Sequence, residues 1–145
     1  INGGECDIGL ESTIVMLDGE GVTLLRPGGI TLEQLEKVLS DIDGITLLGG
    51  EPFEPCNQRA VLPLLRKIKE LYPSKNIWCY TGYLFEDLLG NVQQRELLNY
   101  IDVLVDGRFV EVLKDETLRF RGSSNQRVIN VSESLKRGSV VLLDI

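Results

Sequence analysis

Three short runs, GITLL (44–48), NIWCY (76–80) and DVLVD (102–106), are apolar almost throughout, and segments with helical spacing separate them. A strand without a polar face has to be covered on both sides. Such strands alternating with helices predict a parallel sheet joined by crossover helices. The first crossover, RAVLPLLRKIKELY, carries an apolar stripe at positions 61, 64, 65, 68, 71 and 72. Asn57 is placed to cap this helix, and Pro63 is expected in its first turn or at a kink. The second crossover reads as two helical pieces, 84–89 and 94–101, broken at Gly90-Asn91. The fold class expected is α/β, with a mainly parallel central sheet and flanking helices.

Upstream, ESTIVML (11–17) and VTLLR (22–26) flank Asp-Gly-Glu-Gly, which predicts an N-terminal β-hairpin. TLEQLEKVL (31–39) has helical spacing, and Thr31 with Gln34 fits a capping box at its start. Downstream, residues 107–127 show no period and read as a long polar connection. VINV (128–131) and SVVLLDI (139–145) read as two closing strands.

The chain has no histidine, which removes Ser-His-Asp and Cys-His catalysis and the commonest metal ligand. Its three cysteines, Cys6, Cys56 and Cys79, are too widely spaced for a local metal motif. They read as reduced thiols of a cytoplasmic protein, each by default a small buried hydrophobe. A net charge of −7 argues against non-specific nucleic-acid binding. No apolar run approaches the length of a membrane span. The first residue is Ile1, and the chain is expected to begin inside a longer protein.

The three apolar runs end alike, in Gly49-Gly50-Glu51-Pro52, in Tyr80-Thr81-Gly82-Tyr83 and in Asp106-Gly107. Ligands of parallel α/β sheets bind beyond the carboxyl ends of the strands. Glycine admits a ligand to the backbone, Glu51 accepts hydrogen bonds from an amine, and Thr81 bonds a hydroxyl or carboxylate. Ordinary strand-to-helix turns use the same residue types, so pattern alone leaves pocket and turn both open.

DGITLLGGEPFEPCN, LLRKIKELYPSKNIWCYTGYLFEDL, YIDVLVDGRF and FRGSSNQRVI together make residues 42–145 resemble the activating proteins of anaerobic ribonucleoside-triphosphate reductase, a radical S-adenosylmethionine (SAM) family. The resemblance implies a partial radical-SAM-like barrel, SAM as cofactor and the anaerobic reductase as partner; charge and hydropathy, as above, argue against nucleic acid and membrane. Carried over, Gly49, Gly50, Glu51 and Pro52 would hold the methionine end of SAM, with Thr81 and Gly82 as neighbouring contacts. The family also binds a [4Fe-4S] cluster through a CxxxCxxC loop, and that spacing does not occur here. No catalytic residue and no metal ligand is therefore assigned. The family-level function implied is generation of the reductase's glycyl radical, with this chain expected to be inactive.

GGECDIGLESTIVMLDGEGVTLLRPGGITLEQLEKVL (3–39) resembles instead the last part of the YrdC/Sua5 domain, the L-threonylcarbamoyladenylate synthases. That resemblance would place Ser12 on the threonine side of a pocket and Arg26 on ATP. Two segments of different ancestry, 1–41 and 42–145, are thus expected to be joined as a chimera in one compact domain. The alternatives to an activase are a non-catalytic SAM- or nucleotide-binding module, a structural chimera and, remotely, a synthase fragment.

Overall fold

The computed structural model describes residues 14–18, 21–26, 43–48 and 50–145. Gly49, Ser12 and the segment 31–39 lie outside them. The chain divides into two units, residues 1–42 and 43–145.

In the first unit, β1 (Ile14–Asp18) pairs antiparallel with β2 (Gly21–Arg26), as the hairpin signal predicts. Asp18 lies opposite Gly21, and an irregularity falls between Ile14 and Val15.

The second unit carries the α/β architecture. Its strands are β3 (Gly44–Leu47), β4 (Asn76–Tyr80), β5 (Val103–Asp106) and β6 (Arg127–Asn130). They lie side by side in chain order, β3, β4 and β5 parallel and β6 antiparallel to β5. Helix α1 (Pro55–Leu71) joins β3 to β4, and α2 (Phe85–Gly90) with α3 (Val92–Leu98) joins β4 to β5. The break between α2 and α3 falls where Gly90-Asn91 predicts it. Asn91 caps α3, its side chain accepting from the Gln93 and Gln94 amides at 3.0 and 3.3 Å. Among the described residues the sheet is open, four strands being too few to close a barrel.

Three local expectations change. Helix α1 starts at Pro55, whose fixed φ suits the first helical position, so its N-cap is Glu54 and not Asn57. Asn57 sits one turn inside and donates from Nδ2 to the Glu51 carbonyl at 2.9 Å. The early start leaves Pro63 within the helix, where it has no N–H to close the helical bond to the Arg59 carbonyl. At the far end, residues 131–137 form helix α4 (Val131–Arg137), capped by the Asn130 side chain on the Glu133 amide and ended by Gly138 at φ +66°. Of the two closing strands, β6 forms. Residues 139–145 make only a bridge between Leu142 and Ile129.

One sheet face presents Ile77, Cys79, Leu104 and Ile129, all fully buried with Leu65, Phe85, Leu88, Leu97 and Leu98 of the helices. The other face packs Val103, Val105 and Val128 with Trp78, Tyr80 and Leu143. A loop covers part of this second face: the Phe120 ring lies 5.0 Å from that of Trp78, and Tyr80 Oη donates to the Phe120 carbonyl at 2.9 Å. No helix among the described residues is long and apolar enough to cross a membrane.

Candidate functional site

The loop after β3 turns at Gly50, whose φ of +56° is a conformation that favours glycine. The turn aims the Glu51 carboxylate at the end of β4. Oε1 accepts from Thr81 Oγ1 at 2.7 Å and from the Phe53 amide at 3.2 Å, and Oε2 accepts from the Gly82 amide at 2.8 Å. Thr81 Oγ1 also accepts from the Tyr83 amide at 3.1 Å. Two neighbouring strand ends are thus joined through one carboxylate.

The third strand end closes on the second. Gly107, at φ +91°, donates its amide to the Tyr83 carbonyl at 3.0 Å. Arg108 follows, exposed, with no ion-pair partner for its guanidinium among the described residues. Gly82 lies against both residues: a β-carbon there would stand 3.4 Å from Arg108 Cγ and 3.6 Å from Glu51 Oε2. Glu51, Thr81, Gly82, Arg108 and Gln126 border a cleft of about 180 Å³. A hollow of about 410 Å³, between residues 117–121 and 142–145, shares no residue with it.

Electrostatics at the rim are dominated by acids. The hydrogen bond from Tyr83 Oη to Glu54 Oε1, 2.7 Å long, holds the phenol above its usual pKa. Burial pushes the Cys79 thiol up, and the Glu51 charge adds to the effect. Against these acids Arg108 is the cation of the cleft.

Of the residues marked by the sequence, Gly50, Glu51, Thr81 and Gly82 converge on the cleft. Pro52 is buried and lines a separate hollow of about 290 Å³ beside α1. Gly49 and Ser12 lie outside the described residues. Arg26 is the last residue of β2, opposite Ile14. Cys56 is exposed at the start of α1, contrary to the packed thiol expected, because the helix begins one residue before it. Cys79 is buried in β4 as expected. One exposed and one buried, protonated thiol do not fit a [4Fe-4S] cluster, and no three His, Cys, Asp or Glu side chains among the described residues group to hold a metal ion.

Sequence reasoning missed Arg108 and Gln126. Both lie in the aperiodic stretch after β5, where no spacing marks a residue as facing a ligand. The available signal was Gly107, which ends β5 as Gly82 follows β4.

The family model of a 4Fe-4S single cluster domain matches residues 29–129. The match reaches back to residue 29, inside the segment 3–39 expected to be YrdC/Sua5-like. Anaerobic ribonucleoside-triphosphate reductase-activating proteins are similar to the chain. That of Pasteurella multocida (strain Pm70) is 37% identical over 102 residues, 70% of this chain and 65% of that protein. That of Salmonella typhi is 43% identical over 105 residues, 68% of this chain and 67% of that protein. That of Escherichia coli (strain K12) is 47% identical over 85 residues, 59% of this chain and 54% of that protein. The chain therefore spans between half and about two thirds of the length of these relatives. No solved structure matches. On the family match and these identities, the chain belongs to the 4Fe-4S single cluster domain family and, within it, to the anaerobic ribonucleoside-triphosphate reductase-activating proteins.

Proposed function

We propose that the cleft at the strand ends binds the amino-acid end of SAM, and that the chain is the SAM-holding part of an activating protein for anaerobic ribonucleoside-triphosphate reductase. The observation that carries this reading is that Glu51 and Arg108 both lie against Gly82 and border one cleft. The methionine end of SAM is a zwitterion, and the cleft offers one anion and one cation. Glu51 accepts three bonds from Thr81, Phe53 and Gly82. A carboxylate has about four such positions, which leaves one for an ammonium. Arg108 presents a forked set of donors to a carboxylate. The neighbouring Glu54 adds negative charge that favours the sulfonium.

At about 180 Å³ the cleft takes the amino-acid end alone. Whole-ligand pockets run from about 300 to 1,000 Å³. When bound, SAM supplies the adenosyl group for radical generation. The residues of this chain bind and orient its methionine end: Thr81 holds the Glu51 carboxylate in place, Gly82 keeps the floor open, and Glu51 and Arg108 grip the two charges. Neither Cys56 nor Cys79 has a part in this. The macromolecular partner on this reading is the reductase named in the relatives' own designation.

Titration calorimetry tests the reading. SAM binds the wild-type chain, and Glu51→Gln, which keeps the shape and loses the charge, weakens binding about 10-fold or more. Equal affinities in the two proteins, with matched melting curves, would overturn it.

A further inference from the structure

Four successive residues after β5, Gly107 to Val110, are each held by a different member of the Gly122–Gln126 loop. Gln126 Nε2 donates to the Gly107 carbonyl at 3.0 Å. Asn125 Nδ2 donates to the Arg108 carbonyl at 2.8 Å. The Phe109 ring lies over Gly122, where a β-carbon would meet it at 3.0 Å. Ser123 Oγ accepts from the Val110 amide at 3.2 Å.

The loop is itself organised around one side chain. Gln126 is buried, and its Oε1 accepts from the Gly122 and Ser123 amides at 3.0 and 3.2 Å. Arg121 Nη1 donates to the Gln126 carbonyl at 2.7 Å. A single amide thus spends its oxygen on the loop and its nitrogen on the strand end.

We infer that this loop is the positioning element for Arg108, and that Asn125 and Gln126 set how well the cleft recognises the carboxylate of an α-amino acid. The inference rests on the reading of the cleft as the site for SAM's methionine end. Arg108 has a long, exposed side chain and no ionic partner among the described residues, so its direction depends on where its backbone is fixed. The carbonyls on either side of its α-carbon, those of Gly107 and Arg108, are the two that the loop holds. Gly107, at φ +91°, is a glycine with its amide held by the Tyr83 carbonyl, and the loop's bond to its own carbonyl fixes the other side of the residue. Asn125 and Gln126 do not touch the charge they place; they act through Arg108.

The test measures a ratio. SAM and decarboxylated SAM are titrated into the full chain, its Asn125→Ala and Gln126→Glu variants, and Arg108→Gln. Wild type prefers SAM by about 10- to 100-fold, the worth of a charge-assisted bond to the carboxylate. Arg108→Gln abolishes that preference. Asn125→Ala, at an exposed position, keeps the wild-type melting midpoint and loses most of the preference by weakening SAM alone. Gln126→Glu, which turns an oxygen toward the Gly107 carbonyl at a buried position, lowers the melting midpoint and also loses the preference. A purely structural role would weaken both ligands equally and leave the ratio unchanged, and that result overturns the inference. Wild-type preference retained in Asn125→Ala overturns it too. Absence of binding by either ligand to wild type instead overturns the SAM reading on which the inference stands.

Discussion

Thr81 Oγ1 donates a 2.7 Å hydrogen bond to Glu51 Oε1, so two adjacent strand ends are fastened by side chains beyond the last backbone bond of the ladder. Thr81 is buried, and its hydroxyl also accepts from the Tyr83 amide. Thr81→Val keeps the shape and removes both bonds, leaving the part-buried Tyr83 amide without this partner. The expected cost is about 1–3 kcal/mol in denaturant unfolding, with an unchanged dependence on denaturant. A cost near zero would mean that the carboxylate does not hold the rim together.

Arg127 spans two acids. It pairs with the fully buried Asp106 and, through Nη2, with Glu86 at 2.7 Å. Removing the guanidinium strands a buried charge, so Arg127→Ala is expected to cost about 3–5 kcal/mol. The double change Asp106→Asn with Arg127→Ala costs less than the single one, because no buried charge remains. The bond from Arg127 holds the Glu86 carboxyl below its ordinary value. That pairing contributes fully above the unfolded carboxyl's pKa of 4.5 and is lost as pH falls through the lower folded value. Thermal melts across the acid range, wild type against Glu86→Gln, read the difference.

Cys79 gives the chain a slope at alkaline pH. Its folded thiol keeps the proton to a higher pH than the unfolded thiol, whose ordinary value is 9.0. Above that pH the unfolded chain has released a proton that the folded chain retains, so stability falls as pH rises. The loss is at most about 1.4 kcal/mol per pH unit, and Cys79→Ala removes it while other alkaline groups titrate in both proteins. In a Cys6→Ser background a disulfide reagent should modify Cys56 at once and Cys79 only as the chain opens, since one is exposed and the other buried. Prompt reaction of both thiols would contradict the packing of β4.

The strand and helix order from 44 to 106 was legible because each element has a clean period, and Gly90-Asn91 marked the break between α2 and α3. The rim was half legible. Glu51, Thr81 and Gly82 stand next to apolar runs and are noticed as strand ends. Arg108, Asn125 and Gln126 come from a stretch whose order is built by side-chain bonds to backbone, and such bonds leave no periodic trace. Helix α4 went unread because it starts directly where VINV, correctly read as strand β6, ends. Asn130 with Glu133 and the closing Gly138 were its start and stop signals.

The central claim is that one small cleft, gripped by Glu51 and Arg108, receives the zwitterionic end of SAM. Amide chemical shifts of the isotopically labelled chain, followed during a SAM titration, test it most directly. The account predicts saturable shifts concentrated at Gly50, Gly82, Gly107 and Arg108, absent in Glu51→Gln. Shifts confined to residues 117–121 and 142–145, or none at saturating SAM, would contradict it.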